Sequence, residues 1–354
     1  MNSNQSPKNI LIAPLNWGLG HATRCIPIIR ALQENNYIPI IASDGIALDL
    51  LRKEFPYIKA LALPSYQIEY AKNGKHFKWK LLKSLPKMIR AIVREKKMVQ
   101  QWIVDHDIDA IISDNRLGVI SKKVPSVFIT HQLNVMTGNT TWLTSKMHQY
   151  IINKFNSCWI PDFEGTPNLA GELSHCKRKK LNLKYIGPLS RMHKKEVTIA
   201  YDLMIILSGP EPQRTLLEER LKTELDTYSQ NVIFIRGIIE KEQKKKQLGK
   251  ITYYNYMNSK QLEQAFNESA LVLCRSGYTT IMDLAQLEKK AFFIPTPGQY
   301  EQLYLAEKLQ KEGIAPFSLQ EEFKISDLNR TVNYKTITSQ KTSINWKELF
   351  ELFE

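Results

Sequence analysis

The 354-residue chain contains no apolar stretch near the roughly 20 residues that span a bilayer, so any membrane contact is expected to be peripheral. Cysteine is sparse: Cys25, Cys158, Cys176 and Cys274 lie far apart without paired spacing. That argues against a disulfide framework and a zinc site, and for a reducing compartment. Met1 to Asn9 is polar and the apolar run after it is only a strand long, so no secretion signal is read and a cytoplasmic location is expected. Repeats and long low-complexity segments are missing too. Acidic residues are in deficit: 35 Asp plus Glu against 49 Lys plus Arg give +14, a balance that attracts nucleic acid, an acidic membrane surface or a nucleotide sugar. What is present is a globular composition, 43% hydrophobic, over a length that suits two domains of about 100–200 residues.

The chain opens as a βαβ unit. Asn9 to Pro14 reads as a strand, Asn16 to His21 (NWGLGH) as a Gly-rich turn, Ala22 to Leu32 as a helix and Tyr37 to Ala42 as the next strand. Gly18 and Gly20 fit a dinucleotide fingerprint, but its third glycine is Thr23 and Asp44 comes late for a ribose ligand, which argues against NAD. The turn otherwise lets a substrate approach the backbone and presents His21 at a helix start. That histidine is either a base, since its ordinary pKa is near 6.5, or a helix cap. Asp114, at the carboxyl end of the strand Ala110 to Ser113, is either a second base, the group that orients His21, or a loop cap. Asp105 to Asp109 precedes a strand and reads as a solvated turn rather than a metal site.

Ten basic residues, Lys72, Lys75, Lys78, Lys80, Lys83, Lys87, Arg90, Arg94, Lys96 and Lys97, enclose a single acid, Glu95. From Lys80 the spacing is helical, with Leu81, Leu82, Leu85, Met88, Ile89, Ile92 and Val93 on one face, the basic residues opposite, and Pro86 bending or restarting the helix. Lys72 to Lys97 is therefore a candidate surface for an anionic membrane, with Phe77 and Trp79 as interfacial anchors, or else a packed helix with a solvated face. Stacking aromatics are not interleaved with the lysines, so nucleic acid is not the expected partner.

The second half repeats the α/β alternation after a polar linker at Arg191 to Glu196. Its clearest chemistry lies in Leu271 to Gln302: an apolar strand, the break Arg275-Ser276-Gly277, a helix from Thr279 to Leu287, a strand Ala291 to Pro295, and a polar loop. A loop at the carboxyl edge of a parallel sheet that opens a helix suits an anion such as a diphosphate. The run Cys274-Arg275-Ser276-Gly277, Asp283, Pro297-Gly298-Gln299 and Glu301-Gln302 resembles the donor half of the GT-B glycosyltransferases related to MurG, in glycosyltransferase family 28, whose pattern galactolipid synthases share.

The resemblance implies two Rossmann-like, doubly wound domains facing across a cleft: an acceptor domain over 1–190, a nucleotide-sugar domain over 191–335, and a tail over 336–354 that crosses back. It implies a UDP-sugar donor, no metal or other cofactor, and inverting transfer with His21 or Asp114 as base. On the donor side it implies Asp283 at the ribose, Gln299, Glu301 and Gln302 at the sugar, and Ser208 and Gly209 beneath the diphosphate. Ser276, Gly277, Tyr278 and Thr279, with Arg275 or Arg236, then meet the phosphates, and Gly20 lies near the donor. Gln213 or Arg214 would replace the NH groups lost to Pro210 and Pro212. The acceptor side comprises Asn16, Trp17, Gly18, His131, Gln132 and Asn134. Within and just after Leu271 to Gln302 two positions depart from the family, Glu288 where a helix-ending Gly is usual and Leu305 in place of an Asn; in the first half Leu19 interrupts its paired glycines and Gln132 replaces its Glu. The rival readings are a UDP-N-acetylglucosamine epimerase and a non-catalytic UDP-sugar-binding protein.

Overall fold

A computed structural model describes residues 6–66, 77–176, 181–209, 211–338, 340 and 343–354, with the backbone alone at 77–85 and 139. The chain forms two compact units that part between Leu189 and Ser190. Each is a Rossmann-like parallel sheet with helices on its faces.

In the first unit the strands are β1 (Asn9–Pro14), β2 (Ile38–Ser43), β3 (Ala60–Ala62), β4 (Ile108–Asp114), β5 (Ser126–Ile129), β6 (Ser157–Ile160) and β7 (Leu183–Tyr185). They are all parallel, in the order β3-β2-β1-β4-β5-β6-β7. Near-continuous apolar runs such as Ile10-Leu11-Ile12-Ala13 fit strands covered on both faces. Helix α1 (Gly20–Glu34) buries Cys25, Ile26, Ile28, Ile29 and Leu32, each worth about 1.5–3 kcal/mol for a large aliphatic side chain. Helix α2 (Gly45–Glu54) connects β2 to β3, and α4 (Thr141–Ile152) connects β5 to β6.

Helix α3 (Phe77–Asp105) runs through Pro86 as a single element. Lys72 and Lys75 lie outside the described residues, as do the side chains of Phe77, Lys78, Trp79, Lys80, Lys83 and the leucines at 81, 82 and 85. Where α3 is described, the expected division of faces is corrected. Ile89 and Val93 are 57% and 51% exposed, beside exposed Lys87, Arg90, Arg94 and Lys97. The buried line is Ala91, Glu95 and Val99, with Met88 and Ile92 half-buried. Glu95 sets this rotation: it pairs with Arg116 at 3.0 Å and accepts from the Tyr66 hydroxyl at 2.7 Å and the Gly118 NH at 3.2 Å. Burial pushes its carboxyl up to about 7 against the opposing pull of Arg116. A Cβ at Gly118 would fall on the Ile92 carbonyl, so only glycine permits this approach.

In the second unit β8 (Tyr201–Ile206), β9 (Val232–Ile235), β10 (Lys245–Leu248), β11 (Ile251–Tyr254), β12 (Ser269–Cys274) and β13 (Lys290–Phe293) take the order β10-β11-β9-β8-β12-β13. Only β10 is antiparallel, pairing with β11. It occupies what reads in sequence as a Lys-rich turn, because an exposed charged edge strand carries no apolar signal. Helices α5 (Gln213–Leu225), α6 (Ser259–Asn267), α7 (Tyr278–Leu287) and α8 (Tyr300–Lys311) cover the sheet. Asn258 and Gln261 start α6 with a reciprocal capping box. At the end of α7, Glu288 has φ +51°, the left-handed geometry that a helix-ending glycine would adopt without strain. Leu305 is a fully buried core residue of α8. A 3-10 helix at Ile325–Asn333, unmarked in the sequence, packs Leu328 and Ile325 on this core.

The tail belongs to the first unit. Helix α9 (Trp346–Phe350) and a closing 3-10 turn pack Phe350 and Phe353 on Trp159 and Tyr37, and Lys8 Nζ donates to the carbonyls of Phe353 and Glu354 at 2.8 Å.

Candidate active site

Strand order reverses between β1 and β4, and such a reversal opens a crevice at the carboxyl ends of those strands. Gly18, with φ +76°, turns the chain after β1, and α1 follows with His21 in its first turn. Asp114 closes β4. His21 Nδ1 lies 2.9 Å from Asp114 Oδ1. Arg24, one turn on in α1, bonds Asp114 Oδ2 through Nε at 2.6 Å and Oδ1 through Nη2, and its Nη1 meets His131 Nδ1 at 3.1 Å. Arg24 Nη2 also comes within 2.9 Å of His21 Nδ1. An ionised Asp114 Oδ1 can only accept, so its 2.9 Å contact assigns the proton to His21 Nδ1, donated to Asp114, and leaves Nε2 as the acceptor.

Asp114 is wholly buried. Burial alone would raise its carboxyl, but Arg24 and then His21 outweigh that and hold it well below the usual carboxylate range. An ionised, enclosed carboxylate with both oxygens engaged orients a histidine; it does not exchange protons with a substrate. That corrects the reading of Asp114 as a base. Burial, assisted by Arg24 and opposed by Asp114, lowers the His21 pKa, so the ring is neutral at pH 7.

Other residues assigned to the acceptor side divide. Trp17 is exposed and Gly18 and Gln132 are half-buried. Asn16 Nδ2 donates to Asp44 at 3.1 Å. His131 is buried against Arg24, and Asn134 Nδ2 donates to the carbonyls of Glu172 and His175 at 2.6 and 2.7 Å, so these two brace the loop rather than meet an acceptor. The loop is also tied to α4: Gln149 donates to the Leu133 carbonyl, and Ser145 Oγ accepts the Val135 NH.

The second unit has its own reversal, between β8 and β12. After β8, Ser208 is half-buried and Gly209 takes φ +98°. After β9, Gly237 packs so tightly that a Cβ would strike the Leu207 carbonyl, which brings Arg236 beside that loop. After β12, helix α7 starts at Gly277 without a side-chain cap, and the space over Gly277 is open. Thr279 is half-buried in its first turn.

Several donor-side expectations change here. Arg275 is buried, and its guanidinium donates to the carbonyls of Ile294, Pro295 and Gln213 and to Gln320 Oε1. Burial lowers its pKa to about 9. It braces the site from within and has no face for a phosphate. Arg214 is likewise committed, to Glu211, Glu218, Thr215 and the Arg236 carbonyl, and Gln213 is buried, so neither replaces the loop NH groups. Ser276 is buried with Oγ on the Gln302 carbonyl, Gln302 Oε1 accepts the Thr296 NH, and Tyr278 is in the core. Gln299 and Glu301 are half-buried around the start of α8.

Asp283 is 7% exposed and accepts from Ser190 Oγ at 2.6 Å; burial lifts its carboxyl to about 6 against the pull of Arg191. Thr296 was missed in sequence. Its hydroxyl is buried with no hydrogen-bond partner among the described residues, and Gly209 is its close neighbour. Among the described residues no cluster of three or more His, Cys, Asp or Glu could hold a metal, and no helix is long and apolar enough to cross a membrane.

Two Rossmann-like units, each with loops at a strand-order reversal, have the GT-B fold. Residues 211–346 match the family described as "Glycosyltransferase family 28 C-terminal domain". The chain is similar to the MurG-like group of that family. It is 22% identical over 275 residues, 75% of this chain and 73% of the relative, to the "UDP-N-acetylglucosamine--N-acetylmuramyl-(pentapeptide) pyrophosphoryl-undecaprenol N-acetylglucosamine transferase" of Buchnera aphidicola subsp. Schizaphis graminum. Among solved structures, the spinosyn forosaminyltransferase SpnP superposes with a TM-score of 0.60 at 12% identity, over 92% of this chain and 89% of that one. Acinetobacter baumannii MurG gives 0.51 at 14% identity, over 98% and 94%.

Proposed function

We propose that this glycosyltransferase moves N-acetylglucosamine from its UDP donor, with inversion and without a metal, to a hydroxyl of a lipid-linked glycan at the cytoplasmic face of an anionic membrane. The observation that carries the reading is His21, neutral and held through Nδ1 by a buried, ionised Asp114. Its Nε2 takes the proton of the acceptor hydroxyl as that oxygen attacks the anomeric carbon. The bond from the anomeric carbon to the diphosphate breaks, and its electron pair leaves with UDP. Charge developing on the diphosphate is met by the uncapped start of α7 and by Arg236; donors placed in this way contribute a few kcal/mol each. Asp283 accepts the ribose hydroxyls once Ser190 yields, and Gln299 and Glu301 meet the sugar.

The choice of sugar and of a polyprenyl-linked acceptor draws on the name of the Buchnera relative. The membrane draws on α4 and α3. Beyond the loop that α4 holds, its outer face exposes Trp142, Leu143, Met147 and Tyr150, with Lys146 over the Trp142 ring at 3.8 Å and Lys154 over Tyr150 at 4.5 Å. Aromatic, aliphatic and lysine side chains together suit a headgroup boundary.

The test is incubation with labelled UDP-N-acetylglucosamine and polyprenyl-diphosphate-linked sugar in anionic vesicles. A labelled lipid whose new linkage is β, from the α-linked donor, is expected. Retained α configuration, free isomerised sugar, or equal sedimentation with neutral and anionic vesicles would overturn the matching part of the reading.

A further inference from the structure

We infer that Glu218 is a positioning residue for donor binding: it holds Arg236 by one edge so that the other edge is presented to the donor's diphosphate. The inference rests on the UDP-sugar reading above. Glu218 lies on α5, is buried, and faces three cations. Its Oε1 accepts from Arg236 Nε at 2.8 Å and Lys222 Nζ at 2.6 Å, and its Oε2 accepts from Arg214 Nη1 at 2.8 Å.

The three cations are not equivalent. Arg214 is buried and its nitrogens all donate internally. Lys222 is a point charge one turn along the same helix. Arg236 alone stands at the carboxyl end of β9 beside the Ser208-Gly209 loop, with its side chain 37% exposed. It spends Nε on Glu218, while Nη1 and Nη2 make no hydrogen bond among the described residues. A guanidinium held at Nε keeps its terminal fork for a second, planar partner, the geometry in which arginine binds phosphate. The buried carboxylate also holds down the rotamer freedom of a long side chain before ligand arrives, which reduces the ordering cost of binding.

Thr296 is a second observation at the same place. Its buried hydroxyl lacks a partner among the described residues and adjoins Gly209, whose φ of +98° keeps a side chain out of the intervening space. An anion over Gly209 would be the acceptor that this hydroxyl lacks.

Isothermal titration of the full chain with UDP and with uridine tests the idea, using wild type, Glu218→Gln, Arg236→Ala and the double variant. Glu218→Gln is expected to weaken UDP roughly tenfold, the scale of one charge-assisted hydrogen bond, and to leave uridine unchanged. The double variant should bind UDP no more weakly than Arg236→Ala alone, because Glu218 acts through that arginine. Equal losses for UDP and uridine, additive losses in the double variant, or unchanged UDP affinity would each overturn the role of Glu218. If Glu218→Gln does not fold, Glu218→Asp keeps the charge but withdraws it by one methylene, and the same split between UDP and uridine is read. Wild type that binds neither ligand overturns the donor reading and this inference together, whereas wild type that binds UDP and a Glu218→Gln variant that binds it equally removes this inference alone.

Discussion

Replacing His21 with alanine removes the proposed base and little else. In the folded chain the ring's hydrogen bond is to Asp114, and Asp114 and Arg24 remain paired through Arg24 Nε and Nη2 when the ring is gone. The stability cost is therefore that of one hydrogen bond to a charged group, about 1.5–3 kcal/mol. The catalytic cost is larger. A positioned general base contributes roughly 10²–10⁴-fold, or about 3–5 kcal/mol of barrier. His21 is neutral at pH 7, so wild type already has its full complement of base. Because burial lowers the His21 pKa, the acid limb of kcat/KM falls below pH 6.5, and activity is lost as pH drops through it. The assay is UDP release with the acceptor present, paired with titration of UDP, which should bind the variant as it binds wild type. A folded His21→Ala protein retaining more than about a tenth of wild-type turnover, or a wild-type acid limb above pH 6.5, would refute this reasoning.

Other consequences are open to measurement. Glu288→Gly should raise stability to urea by about 1 kcal/mol, since it removes a left-handed side-chain residue at the loss of a partly exposed ion pair with Lys194; no gain would mean that Glu288 is unstrained. Arg275→Met should cost about 3 kcal/mol or more by stripping three carbonyls and Gln320 of their donor. Its UDP-to-uridine affinity ratio should stay constant, and a selective loss of UDP would restore Arg275 as a phosphate ligand. Because burial raises the Asp283 carboxyl to about 6, UDP affinity should be full above that value and decline as pH falls through it, as the ribose loses its ionised acceptor. Linkage runs the other way for stability: a carboxyl raised on folding favours the fold most at low pH and loses that contribution as pH rises through about 6. Asp283→Asn should flatten the affinity profile without lowering the melting temperature at pH 8; a persistent affinity slope would place the titrating group elsewhere.

Most of the parallel sheets could be read from sequence because buried strands announce themselves as apolar runs, Ile10 to Ala13 and Leu271 to Cys274 among them. Strand β10 could not, since Lys245 to Leu248 is exposed throughout and held by backbone pairing. The rotation of α3 was misread for a related reason. Periodicity counts Glu95 as a surface charge, and only the fold shows Arg116, Tyr66 and Gly118 converging to bury it. At the site, loop positions were legible but the commitments of side chains were not. An arginine following a strand looks the same in sequence whether it faces a phosphate or, like Arg275, four protein oxygens. Thr296 carries no motif at all; an unmet buried hydroxyl exists only once Gly209 lies beside it.

The aromatic tail has a consequence for synthesis. Phe350 and Phe353 cover Trp159 and Tyr37, so the amino-terminal lobe is finished by residues made only after the second lobe. That lobe waits, with an indole bared, while the whole second lobe is made, and a gene cut between the lobes yields an amino-terminal half lacking its own closing piece.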